Sequence, residues 1–107
     1  MKRFISNYTI LACGQELINH ITTTSDDGTL LSIETFEREL GNTVYVALPL
    51  CVVATSDIAR VESAFRESAS RDFFKRKLVE LNISRPKPGT VVAILKLDFA
   101  RNIIIKL

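Results

Sequence analysis

The chain has no tryptophan, a single histidine and only two cysteines. One histidine cannot supply the multi-histidine sets that hold hydrolytic zinc, and His20 has no cysteine at ligand spacing. A lone strand histidine is expected to be a surface residue or a satisfied core residue. Cys13 and Cys51 lie too far apart for a Cys-x-x-Cys redox or zinc motif. Cys51 stands in an apolar run and is expected to be a small buried residue. A Cys13–Cys51 disulfide stays open, but two such thiols fit a reducing cytoplasm better. The four glycines are scattered, so no phosphate-cradling loop is present. Neither sign of charge dominates, with 14 basic and 12 acidic residues. No apolar run approaches the ~18 residues of a membrane span.

The amino end has the outline of an export signal: Lys2-Arg3, then Phe4-Ile5, then Ile10-Leu11-Ala12-Cys13. Ser6, Asn7 and Thr9 interrupt it, so a cytoplasmic location is expected. Asn7-Tyr8-Thr9 and Asn82-Ile83-Ser84 match the glycosylation pattern, which has meaning only after export.

What is present is an ordinary core. The 107 residues suit one domain spanning 1–107. A chain of this size buries roughly two-thirds of its unfolded surface. The apolar fraction of 47% argues against disorder and leaves apolar surface to spare.

Arg3 to Ala12 reads as a strand, with Phe4, Tyr8, Ile10 and Ala12 on one face at period two. Gln15 to Thr24 is a second, rich in β-branched residues. Asp26-Asp27-Gly28 signals a hairpin, because glycine accepts the positive φ of the turn. Thr29 to Glu37 returns, with Leu31 and Ile33 inward. Glu37 to Gly41 makes one helical turn or a loop. Thr43 to Thr55 is nearly continuous in apolar residues, as in a strand buried on both faces, with a bulge, bend or edge at Pro49.

Thr55 or Ser56 caps a helical bridge over about 56–82. Ile58, Val61, Phe65 and Ala69 form one stripe; Phe74, Leu78 and Leu81 form another on a different side. One straight helix cannot aim both at one core, so a break is expected near Ser68 to Ser70. Pro86, Pro88 and Gly89 end the bridge. Thr90 to Leu97 and Arg101 to Leu107 are closing strands, with Ile103, Ile105 and Leu107 sharing a face. The fold class is α+β, mainly β: a small β-sandwich or half-barrel of about six strands from both chain ends.

Tyr8 to Leu11, Asn19 to Thr24 and Asp27 to Ile33 look like the amino-terminal strand and hairpin of the β-domain of amidohydrolases, the metal-dependent TIM-barrel hydrolases. Lys87-Pro88-Gly89, Val91 to Leu97 and Asn102 to Leu107 look like its carboxy-terminal turn and strands. Leu48 to Asp57 falls where the family enters its barrel. Pro49 matches there, but Leu50 replaces glycine and Val53 replaces aspartate. Thr55 and Asp57 stand where the two metal-binding histidines belong. The resemblance covers residues 3–57 and 83–107, and the barrel between is missing. It implies a non-catalytic β-domain with no metal, no cofactor and no catalytic residue.

Charge is uneven. Residues 1–65 hold 4 basic and 8 acidic residues; residues 66–87 hold 7 basic and 3 acidic. Arg71, Lys75, Arg76, Lys77, Arg85 and Lys87 are the candidate nucleic-acid contacts, since clustered cations beside aromatics bind phosphate and stack bases. A solvated, ion-paired helix face explains the same residues. Asp26-Asp27 is explained by turn chemistry rather than general acid–base work.

The expected function is a non-enzymatic binding or assembly module. Nucleic-acid binding through 71–87 and an enzyme with an unrecognised site are the alternatives. A homodimer is the expected partner state, with Phe73, Phe74 or the edge of a terminal strand in the contact.

Overall fold

The turn at Ser25–Thr29 is set by local chemistry. In the computed structural model, which describes residues 1–37 and 41–107, Gly28 sits at φ 90°, which glycine adopts without a Cβ penalty. Asp27 accepts from Thr29 N at 3.1 Å and from the Ser25 hydroxyl. Ser25 N donates to Thr29 O at 2.9 Å. The turn joins β2 (Glu16–Thr24) to β3 (Leu30–Thr35).

The Ser25 hydroxyl, then Thr29, hold the Asp27 carboxyl below its ordinary 3.8. A carboxylate depressed in the folded state stabilises fully above its unfolded pKa and loses that contribution as pH falls through the folded value. Asp27→Asn is therefore expected to blunt the loss of stability from about pH 4 downward. Urea melts of both proteins between about pH 5 and 2 check this; equal acid limbs contradict it.

Among the described residues, seven strands form one mixed sheet in the order β3-β2-β1-β5-β6-β7, with β4 also beside β1. The architecture is α+β and mainly β, in a single curved sheet rather than a sandwich. β1 (Lys2–Leu11) is central, antiparallel to β2 and parallel to β4 (Thr43–Tyr45) and β5 (Leu50–Ala54). The stretch resembling an export signal is thus an interior strand. β6 (Val92–Asp98) lies antiparallel to β5, and β7 (Ile103–Lys106) to β6. The two chain ends share one sheet, as expected.

The sheet curls until its far parts meet. Leu30 N donates to Thr90 O at 2.8 Å and Val92 N to Gly28 O at 2.9 Å, around a Thr29–Val91 bridge. The start of β6 therefore bonds β5 on one side and the start of β3 on the other. Phe4, Leu11, Leu30, Leu50, Val52, Val92 and Ile94 fill the enclosed face.

Four expectations about the strands need correction. The run at 43–55 is two strands, not one, which is why the sheet has seven. Pro49 lacks a donor, and the chain breaks before it; its carbonyl still accepts from Leu97 N at 2.9 Å. Leu50 to Val53 are buried on both faces as predicted, whereas Val44 and Tyr45 are exposed. Leu31 is outward and Leu30 inward, because Thr23 pairs with Ser32 but Thr24 with Leu30, leaving Leu31 as the extra residue of a bulge. Phe4 does not share a face with Ile10 and Ala12, which join the opposite cluster. The ladder skips Asn7 opposite Asn19, whose φ is 54°, and alternation changes phase between Phe4 and Leu11.

The helical bridge breaks as its two stripes require. A 3-10 turn (Thr55–Asp57) leads into α1 (Ile58–Arg66), then α2 (Arg71–Leu81). Ser70 caps α2, its hydroxyl accepting from Phe73 N at 3.2 Å. The expected cap by Thr55 or Ser56 is absent: neither the 3-10 turn nor α1 has a side-chain cap bond. Asn82 ends α2 at φ 55°. The break turns both stripes onto one core, where Val61, Phe65, Phe74 and Leu78 pack over Ile10, Cys51 and Val53. Phe65 meets Phe74 edge-on at 5.7 Å, and Phe99 lies 5.1 and 5.8 Å from them. Ala69 is exposed and takes no part. Of the expected turn at Glu37 to Gly41, residues 38–40 lie outside the described residues.

Candidate interaction surface

β7 carries three consecutive isoleucines, so both of its faces are apolar. Leu107 N donates to Ile94 O at 2.8 Å, in register with the Leu95–Lys106 and Lys96–Ile105 pairs. In an antiparallel ladder, hydrogen-bonded pairs alternate with unbonded ones. Ile103, Ile105 and Leu107 therefore turn their backbone groups toward β6. Ile104 and Lys106 turn theirs away from the sheet. Among the described residues β7 is the last strand in the order and no other strand pairs with that side, which makes it an open edge.

The side chains divide the other way. Ile104 packs on the helix-side core. Ile103, Ile105 and Leu107 stand 43–44% exposed. They continue the face that carries Ile94 and Lys96. The enclosed face is closed over at the β3 end and open at the β7 end. A groove of about 400 Å³ lies at the open end, with Phe4, Val46 and Leu48 in it and Val44, Tyr45 and Leu107 beside it. Among the described residues, Lys96 is the one charged residue in its lining. Val44 and Tyr45 are 51% and 60% exposed. Single exposed apolar residues are ordinary; here Val44, Tyr45 and Leu107 line one groove and Ile105 and Ile103 continue the strand face from Leu107, a grouping that marks a contact surface.

The phenylalanine pair splits. Phe74 is fully buried between Phe65 and Phe99 and cannot serve as an interface residue, a correction that follows from the break before α2. Phe73 is exposed at 42%, with the Lys77 ammonium 5.5 Å from its ring.

The basic segment is largely spent within the chain. Glu16 binds Arg71 at 3.4 Å and Lys75 at 3.1 Å, and Lys77 binds Glu67 at 2.7 Å. The Arg71 guanidinium also lies 3.8 Å over the Tyr8 ring. Lys77 holds the Glu67 carboxyl below its ordinary value. Arg85 donates to Gln15 at 3.0 Å. Among the described residues, Arg76 and Lys87 make no ion pair. Arg85 and Lys87 share a shallow cleft with Arg60, whose guanidinium already binds Leu81 O at 2.8 Å and lies 3.5 Å from Asp57. The six cations therefore do not form one free patch.

His20 sits at a half-exposed strand position with Nδ1 2.9 Å from Ile18 O. Among the described residues, no group of three or more His, Cys, Asp or Glu side chains converges as metal ligands do. Thr55 and Asp57, at the positions of the missing histidines, serve local structure: Thr55 N donates to Val91 O at 3.1 Å and Asp57 faces Arg60. Cys13 and Cys51 are both free thiols. Burial pushes the Cys51 thiol up to about 12, so it is a core group rather than a nucleophile. No described helix is long and apolar enough to cross a membrane.

Val44, Tyr45, Ile103, Ile105 and Leu107 form the surface that sequence reasoning did not assemble. Ile103, Ile105 and Leu107 were legible as one face, but the same alternation describes a covered face. Val44 and Tyr45 were hidden in a run that reads as wholly buried. No family model matches the chain, and neither a curated protein nor a solved structure matches it.

Proposed function

We propose that the protein is a non-enzymatic assembly module of the cytoplasm that associates with copies of itself through the open end of its sheet. The observation that carries this is the set of exposed apolar side chains around the β4–β7 groove, beside an unpaired strand edge. Water-exposed apolar surface of this kind is stabilised by burial against a second chain, and a two-fold homodimer is the commonest arrangement. The resemblance to the β-domain of amidohydrolases rests on the sequence pattern alone; it agrees with a module that keeps the domain and has lost the barrel. Nucleic-acid binding through 71–87 is the weaker reading, because Arg71, Lys75 and Lys77 are already paired with carboxylates.

Light scattering at tens of micromolar is expected to give about twice the 12.0 kDa chain mass. Ile105→Glu is expected to return the monomer with its circular dichroism unchanged, because Ile105 is exposed in the single chain. A wild-type chain that scatters as a monomer contradicts the proposal.

A further inference from the structure

We infer that β7 pairs antiparallel with β7 of a second copy, about a two-fold axis at Ile105. This rests on the assembly reading above and adds the edge, the register and the symmetry.

The edge is chosen by comparison. β3 ends the other side of the sheet, but it carries the Leu31 bulge and an outward Glu34, and the residues that begin it bond to 90–92. Bulges, charges and covered ends are the devices that keep strand edges from pairing. β4 has only three residues. β7 has no bulge against β6, and its four residues include one charge, Lys106.

The register follows from which backbone groups point outward. A two-fold axis normal to the sheet sets residue i opposite residue j with i and j of the same parity, since opposite side chains share a face. The outward groups belong to Ile104 and Lys106, so these must meet their counterparts. An axis at Ile104 sets Lys106 against Asn102, whose left-handed φ of 56° takes it out of the extended ladder. An axis at Lys106 places two ammonium groups directly opposite, which is unfavourable. An axis at Ile105 sets Ile104 opposite Lys106 of the second copy, and Lys106 opposite Ile104. Each such pair exchanges two backbone hydrogen bonds.

The side chains then agree with the backbone. Ile105 meets Ile105 of the second copy in the closely spaced, unbonded type of pair. Ile103 meets Leu107. The exposed stripe of one copy thus continues directly into the stripe of the other. The aliphatic stem of Lys106 lies along Ile104 of the second copy on the helix side, leaving its ammonium in water. The result is one sheet running through two copies.

Cross-linking reads the register. In a Cys13→Ser background, Ile105→Cys is expected to oxidise to a covalent dimer, because unbonded antiparallel pairs hold their Cα atoms ~4.5 Å apart, within disulfide range. Ile104→Cys, facing Lys106, is expected to stay reduced. Ile104→Pro removes an outward N–H while leaving the Leu107–Ile94 bond, and is expected to weaken dimerisation about tenfold or more. Circular dichroism of each variant checks that the fold is intact. Cross-linking at 104 rather than 105, or a dimer indifferent to Ile104→Pro, overturns this edge and register while the assembly reading stands. A wild-type chain that never dimerises removes both.

Discussion

Phe74→Ala is expected to lower the unfolding free energy by roughly 3–5 kcal/mol, and Phe73→Ala by less than about 1 kcal/mol. The two residues are adjacent and chemically identical. Their difference comes from Ser70. By capping α2 in a new direction, Ser70 sends Phe74 into the Phe65–Phe99 cluster and leaves Phe73 over Lys77. Removing the Phe74 ring leaves a cavity lined by two aromatics, and the surrounding sheet and helices can close it only in part. Stability on the order of 5–15 kcal/mol is typical of a whole domain, so this one truncation takes a large share. Urea denaturation of both variants provides the measurement. Similar losses for the two would mean that the stripes of α1 and α2 do not converge.

Gly14→Ala is expected to cost more than Gly89→Ala, although both glycines lie at φ near 95°. A left-handed backbone costs an ordinary residue about 1–2 kcal/mol, and that part is common to both. A Cβ at position 89 meets nothing within 4 Å. A Cβ at 14 falls 2.6 Å from a methyl carbon of Val79 and 3.1 Å from the Lys75 carbonyl. The Val79 side chain can move; the α2 backbone cannot move without disturbing Phe74 and Leu78. The added cost is expected at about 1–3 kcal/mol, the range for overpacking. Val79→Ala should recover part of it, because Val79 is 62% exposed and truncating it costs little by itself. Equal losses for the two glycine variants would show that α2 does not press on the β1–β2 turn.

Much of this fold was legible where one local signal had one structural meaning. Asp27-Gly28 could only be a turn. Two apolar stripes that no straight helix can reconcile required a break, and Ser70 was the residue able to cap it. The pairing of the chain ends followed from the need of each block for strands. Other features depended on longer range. Whether 43–55 forms one strand or two turns on Pro49 and on where β1 offers a partner. The bulge at Leu31 lies beside the bonds from Gly28 and Leu30 to residues 90–92, a long-range contact that no local pattern encodes. Burial of Phe74 and exposure of Phe73 depend on the angle between α1 and α2. The interaction surface was the least legible part, because a row of isoleucines looks alike whether a second layer covers it or nothing in the same chain does. The pairing of the cations of 71–77 was legible only in part. Asp72, 3.6 Å from Lys75, and Glu67 lie close by in sequence, whereas Glu16, which binds Arg71 and Lys75, becomes a neighbour only through folding.

Hydrogen exchange of single backbone amides tests the open-edge account most directly. Leu107 N–H is bonded to Ile94 within one chain and should be protected at every concentration. The Ile104 and Lys106 amides point away from the sheet and should exchange quickly in dilute solution. At concentrations where copies associate, both should become protected together with the rise in mass. Exchange of these two amides at the dilute rate under conditions where the protein is fully associated would contradict the claim that β7 is the edge through which the molecules meet.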